Sequence, residues 1–251
     1  MMRRRGTLLA LLALLAIVVA AVPAVFAAPG GPTAGQRIDL KVLVIAPSLD
    51  EAGYAAWKDT LGKLGVPYDT VIPGQSAPLS DASLADYASN RAKYEGVILT
   101  SGGVALSPSD RAALDKLETS FGIREISDNT NPDTTHGAST FLGGGATPLA
   151  PNLTGTLTDA GKAVFPYLKG PVPLAGPSYA ASGIPGPSFT SLVTAPGGGS
   201  YMGVWKRANG TEQLVDGIPG NGQQSHFQLL RYGLVNWVTR GVYLGYWRNY
   251  F

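Results

Sequence analysis

The most polar stretch of the chain is Asp128 to His136 (DNTNPDTTH), which gathers Asp128, Asn131, Asp133 and one of only two histidines, His136. Carboxylates, amides and an imidazole at this spacing offer donors and acceptors suited to the paired hydroxyls of a sugar. The same residue types also fill plain turn-rich loops, because Asn and Asp bond their own backbone and tolerate left-handed conformations. Thr100 to Gly103 (TSGG) is a second candidate. Its adjacent glycines allow close approach, so that Ser101 and nearby backbone N–H groups can meet an anion or a sugar hydroxyl, or else form a tight turn with no ligand. Rings supply a third element: Tyr179, Tyr201 and Trp205 fall in the second half of the chain, where an exposed ring can pack on the apolar C–H face of a pyranose. Tyr201 and Trp205 are an even number of residues apart, which puts both on one side of a strand, facing either a sugar or a core.

Other chemistries find less support. The chain has no cysteine, which excludes thiol nucleophiles and cysteine metal sites. Asp128, Asp133 and His136 match no established metal-ligand spacing, His226 lies far off in sequence, and Ser48-Leu-Asp-Glu51 lacks the Ser, Thr and Gly of a phosphate cradle. No Gly-x-Ser-x-Gly elbow is present. No metal, cofactor or catalytic residue is therefore expected.

The elements that must position these residues alternate over the first half. Leu40 to Ala46 reads as a buried strand, and Asp50 is placed to cap a helix carrying Tyr54, Trp57, Leu61 and Leu64 and ending at Gly65. Tyr68 to Ile72 reads as a strand, Leu84 to Lys93 as a helix and Gly96 to Thr100 as a third strand. Ser107-Pro108 opens a further helix, with Asp110 in its first turn, Leu114, Leu117 and Phe121 inward and Gly122 at its close, before a fourth strand over Ile123 to Ser127. This order predicts an α/β fold with a mostly parallel sheet and helices on both faces, similar to flavodoxin or the class I amidotransferases. A Gly/Pro-rich second half with β-structure follows: Gly143 to Pro148 and Pro171 to Pro187 as loops and edge strands, then strands at Phe189 to Thr194, Met202 to Arg207 and Glu212 to Val215, with Asn209-Gly210 as a hairpin turn. A helix from Gln224 to Thr239 turns Leu230, Leu234 and Trp237 inward.

Composition, at 45% hydrophobic and 14% charged, is that of a globular chain. Residues 1–27 read as a signal peptide, with Arg3, Arg4 and Arg5 before an uncharged apolar run and a small-residue cleavage site at Ala27; the alternative is an uncleaved membrane anchor. Residues 28–37 are a linker. The expected location is extracellular or in the cell envelope, and a membrane contact is expected only if the signal stays. Without those three arginines, nineteen basic residues become sixteen against seventeen acidic. A near-neutral chain without a basic cluster is not expected to bind nucleic acid.

The closing segment Arg231 to Phe251 carries seven aromatic residues. Asn236 to Phe251 (NWVTRGVYLGYWRNYF), with Lys41 to Pro47 (KVLVIAP) and Tyr94 to Gly103 (YEGVILTSGG), resembles the N-terminal carbohydrate-binding module (family 87) of secreted polysaccharide deacetylases of the fungal galactosaminogalactan deacetylase type, which include bacterial homologues. The resemblance covers roughly Ile38 to Phe251 and implies a carbohydrate-binding-like module over 38–241, with 242–251 as a junction to a deacetylase domain. It further implies a non-catalytic role, holding a polysaccharide that contains N-acetylgalactosamine or another amino sugar. The deacetylase domain would pack on Trp237, Tyr243, Tyr246, Trp247, Tyr250 and Phe251, while the family's metal ligands match no residue of this chain. Two other readings stay open: a structural module that packs against a catalytic partner, and an amidotransferase-like hydrolase lacking the cysteine nucleophile.

Overall fold

The computed structural model describes residues 32–143, 153–174, 180–218, 220 and 222–245. The signal segment, Tyr179, Tyr246, Trp247, Tyr250 and Phe251 lie outside them. Among the described residues no helix is long and apolar enough to cross a membrane.

The chain runs β1 (Arg37–Ile38), β2 (Val42–Ile45), α1 (Ala52–Leu64), β3 (Tyr68–Val71), α2 (Asp81–Leu84), β4 (Ala85–Asp86), β5 (Arg91–Ala92), β6 (Gly96–Leu99), α3 (Pro108–Phe121) and β7 (Arg124–Ser127). A 3-10 turn over Thr134–His136 leads to β8 (Ala138–Gly143), β9 (Thr154–Leu157), α4 (Asp159–Val164), β10 (Val172–Pro173), β11 (Ser182–Pro185), β12 (Phe189–Thr194), β13 (Ser200–Lys206), β14 (Glu212–Asp216) and α5 (Ser225–Val238). The large sheet has the order β10-β9-β12-β13-β14-β7-β6-β2-β3, with β11 pairing both β13 and β8. From β3 to β14 the neighbours are parallel, whereas β13, β12, β9 and β10 join antiparallel. The fold is thus mixed α/β, its parallel part extended by the Gly/Pro-rich half into one continuous sheet.

Strand alternation sorts the apolar residues onto two faces. Val42, Val44, Ile98, Ile126, Leu214, Met202 and Val204 form one core with α1 and α5. Leu43, Ile45, Val97 and Leu99 form the other with Leu84 of α2 and Leu114, Leu117 and Phe121 of α3. Each fully buried Leu or Phe in these layers stabilises the fold by roughly 1.5–3 kcal/mol.

Several local expectations need correction. Asp50 is exposed, and the cap of α1 is Glu51, whose carboxylate accepts from the N–H groups of Gly53 (2.8 Å) and Tyr54 (2.6 Å). The helix starts one residue later than a short cap would set it, and the longer side chain curls back to reach it. Leu84 to Lys93 is not a helix. A single turn, capped by Ser80, ends at Leu84, after which Asp86 accepts from the N–H and hydroxyl of Ser89 and Asn90 takes a φ of 54°, closing the hairpin of β4 and β5. Tyr201 and Trp205 do not share a face. Val193 pairs with Met202 but Thr194 with Ser200, so Tyr201 is an extra, bulged residue. The bulge turns Tyr201 into the α1/α5 core, 6% exposed, and resets the alternation before Trp205.

Candidate functional site

One register row crosses the sheet through Leu43, Val97, Glu125, Gln213 and Trp205, all on the face that carries α3. The next row runs Ile45, Leu99, Ser127, Val215 and Gly203. Helix α3 lays Leu114, Leu117 and Phe121 over the apolar start of these rows. Its flank, Arg111 and Glu118, leans over β7, where the row turns polar.

There the side chains close into a ring of alternating charge. Arg111 donates to Glu118 Oε1 (2.6 Å) and Glu125 Oε2 (2.5 Å), and Arg207 donates to Glu118 Oε2 (2.6 Å) and Glu125 Oε1 (2.7 Å). Asp115, partly exposed, takes the Nε of Arg111 at 2.8 Å. Both glutamate side chains have no exposed area, so both must be paired. Burial would raise the Glu125 carboxyl, but the guanidiniums of Arg207 and Arg111 outweigh it and hold Glu125 well below the usual carboxylate range. Burial and the charge of Glu125 push Glu118 upward. Gln213 Nε2 donates to Glu125 Oε1 and Ser127 Oγ, each at 2.6 Å, which fixes the amide orientation and leaves its buried Oε1 without a hydrogen-bond partner among the described residues.

Above this floor lies a cleft of about 200 Å³, bordered by Ser101, Arg111, Gln213, His136, Trp205 and Arg207 among others. Trp205 is half-buried, with the Arg207 guanidinium 5.8 Å from its ring centroid. The backbone at Gly137 presses on the same ring: a Cβ there would stand 2.3 Å from Trp205 Cδ1, and its φ of 82° is left-handed. Glycine meets both demands.

The structure separates the sequence candidates. Ser101, His136 and Trp205 meet at the cleft. Asp133 borders it indirectly: it caps the 3-10 turn, accepting from the Thr135 N–H, the Thr135 hydroxyl and His136 Nδ1 (3.0 Å), and so sets the histidine ring. Asn131, half-buried, lends its carbonyl to the Asp133 N–H. Asp128 is 1% exposed and turned to the far side, where it accepts from Trp57 Nε1 (2.7 Å) and the Asn129 N–H (2.8 Å). The N–H groups of Gly102, Gly103 and Val104 are taken by Asn129 O, Ser101 Oγ and Ser101 O, so TSGG forms an internally bonded turn that offers the cleft side chains in place of those N–H groups. Tyr201 lies in the core. Trp237 is also a core residue, 6% exposed beneath the Arg124 guanidinium (4.7 Å), which removes it from any docking surface, while Tyr243 is partly buried against the same core.

A second polar cluster sits beyond the strand ends. Asp128 and Asp216 are both buried. Burial raises Asp128 to about 7, against the pull of its Trp57 and Asn129 bonds and with help from the charge of Glu51. Asp216 is raised by burial and by the Asp128 charge.

Sequence reading missed Arg111, Glu118, Glu125, Arg207 and Gln213. The visible signal was a charge inside a buried strand (Glu125 in Arg124–Ser127) and another on the inward side of α3, at Glu118 beside Leu117.

No family model and no curated protein matches the sequence. Among solved structures, the chain is similar to the carbohydrate deacetylase Agd3, with a TM-score of 0.70 and 22% identity over 85% of this chain. A glutamine amidotransferase from Thermotoga maritima (TM-score 0.42, 12% identity, 71% of this chain and 75% of that one) and a ThuA-like protein from Parabacteroides merdae (0.42, 15%, 81% and 91%) are also similar. This chain spans 34% of the length of Agd3, and within that span the two share a fold.

Proposed function

We propose that this chain is an exported, non-catalytic carbohydrate-binding module that holds an amino-sugar polysaccharide for a deacetylase domain. The observation that carries the reading is the cleft beside Trp205: an aromatic ring, a histidine and hydroxyl and guanidinium donors gathered on a sheet face next to α3. A ring edged by polar groups is the arrangement that binds a pyranose through its apolar face and its hydroxyls together. The fold shared with part of a carbohydrate deacetylase supports the same reading. Ser101, His136 and Trp205 carry contact, and Asp133 positions His136. Tyr243 and the residues after it would face the deacetylase domain.

The test is binding of partly deacetylated amino-sugar polymers by affinity electrophoresis. Trp205→Ala is expected to weaken retention at least about five-fold, the share of a stacking ring. Unchanged retention in a folded Trp205→Ala variant would remove the cleft as the recognition surface. Tyr201→Ala is no test of recognition, because that ring fills the core.

A further inference from the structure

A second pocket, of about 190 Å³, lies between the last turn of α3, the turn joining β13 to β14, and Arg240 just after α5. It shares no bordering residue with the Trp205 cleft. Two carboxylates border it, and each already faces an arginine. Glu118 accepts from Arg111 and Arg207 through both oxygens. Glu212 Oε2 takes the Nε of Arg124 at 2.7 Å, while Arg124 Nη1 goes to the Trp237 carbonyl.

Arg240 is placed differently. Its Nη2 donates to the Gly122 carbonyl at 2.7 Å, at the end of α3, and among the described residues it enters no ion pair. Burial and the charge of Arg124 both hold its guanidinium below the ordinary value, against the smaller pull of Glu212. The pocket thus borders a half-buried cation without a counter-charge in contact. The backbone is strained to put it there. Glycine commonly takes the left-handed position where a helix ends, yet Arg240 has a φ of 56° and Gly241 follows at 78°. A Cβ in that region is unfavourable, and a glycine would end α5 without the strain.

One hydrogen of Nη2 is spent on Gly122, which leaves the Nε and Nη1 hydrogens and the second on Nη2. At the same border, Asn209 Oδ1 accepts the Thr211 N–H (3.1 Å) and hydroxyl (2.8 Å), which fixes the amide and leaves its Nδ2 hydrogens uncommitted. A guanidinium fork beside an amide N–H matches a group with two or more oxygens sharing negative charge, and it repels a cation.

We propose that this pocket is an oxyanion site, where a carboxylate, phosphate or sulfate group is held by Arg240 and the Asn209 amide. The site is independent of the carbohydrate reading of the Trp205 cleft.

The experiment is an NMR titration of the isotope-labelled full chain in which chloride is exchanged for sodium phosphate, sulfate or glucuronate at constant ionic strength. Saturable shifts of the Arg240 Nε–H and Asn209 Nδ2 signals are expected in at least one series. A response to phosphate or sulfate assigns the site to an inorganic ion or its ester, and a response to glucuronate assigns it to an acidic sugar; each upholds the oxyanion site. Arg240→Gly suits the left-handed backbone and is expected to weaken the binding about ten-fold or more, the share of a charged hydrogen-bonding group. Capping of α3 alone would give no saturable response in any series, and that result overturns the proposal. So does an unchanged affinity in folded Arg240→Gly, or shifts spread evenly over surface lysines. Arg240→Asn serves if the glycine variant does not fold, and the titration of the unaltered chain needs neither.

Discussion

Leu43 and Val97 lie under α3, and Glu125, Gln213 and Trp205 continue the same register row on the same sheet face. The first strip is closed by Leu114, Leu117 and Phe121. The second is closed by a ring of two arginines and two fully buried glutamates. Apolar closure stabilises through area removed from water. Ionic closure of the same area roughly breaks even, since desolvation offsets the Coulomb gain and well-packed apolar replacements are often as stable or more so. Stability alone therefore does not explain the second strip. What the ring does provide is a rigid polar floor beneath a cleft, with every carboxylate oxygen spent and the Gln213 amide locked in one orientation.

The sharpest way to break this comparison is at Glu125, which partners both arginines and Gln213. Glu125→Leu leaves two guanidiniums to share the single buried carboxylate of Glu118, with Asp115 as the other partner of Arg111, and is expected to destabilise by roughly 3–5 kcal/mol, read as a lowered denaturant midpoint at unchanged slope. Replacing the whole ring (Arg111→Met, Glu118→Leu, Glu125→Leu, Arg207→Met) should recover most or all of that loss while abolishing carbohydrate retention. A quadruple variant as unstable as Glu125→Leu would show that the ring is a structural necessity, and the contrast between the strips would vanish.

A smaller effect is expected where the cleft meets the backbone. Gly137→Ala adds a methyl 2.3 Å from Trp205 Cδ1 at a φ of 82°. Left-handed strain and overpacking together should destabilise by about 2–3 kcal/mol, and the Trp205 ring must move. Fluorescence of the folded variant should shift and carbohydrate retention should fall. If neither changes, the ring is not held by this contact.

The apolar strip was legible in the chain because its residues obey simple periods. Leu114, Leu117 and Phe121 recur at helical spacing, and Ser107-Pro108 opens the helix as expected, with Asp110 of its first turn completing a capping box. The strand at Phe189–Thr194 and the hairpin at Asn209-Gly210 followed from alternation and turn chemistry. The polar strip was not legible, because its members come from α3, β7, the turn after β13 and β14, and only the parallel joining of β14 to β7 brings them together. Nothing local in Arg207 or Gln213 announces that pairing. Asp128 misled for the opposite reason: its neighbours in sequence are loop residues, but its own side chain turns inward to Trp57, 71 positions away. A bulge at Tyr201 defeated the alternation that should have paired it with Trp205.

Glu125 and the buried aspartate pair should also titrate in opposite senses, while Glu118, pushed up by burial and by the charge of Glu125, follows the aspartates. Glu125, held low by its arginines at about 2 against an ordinary 4.5, contributes stability that is present above its unfolded pKa and lost as the pH falls toward 2. Asp128, raised from 3.8 to about 7, and Asp216, raised by burial and by its neighbour's charge, bind more protons folded than unfolded. Their contribution is complete below about pH 4 and is lost as the pH rises through the folded values. Stability should therefore peak on the acidic side of neutrality and decline between pH 5 and pH 8. Asp216→Asn keeps an oxygen for the Ile218 N–H, which Asp216 Oδ1 accepts at 2.8 Å, while removing one of the two buried charges. Measured by urea denaturation, the variant should lose less stability than the parent between pH 5 and pH 8, with the acid limb set by Glu125 unmoved. A parent chain whose stability rises steadily over that interval would show that the aspartate pair is ionised without penalty, and the difference between the two clusters would then rest on the ring alone.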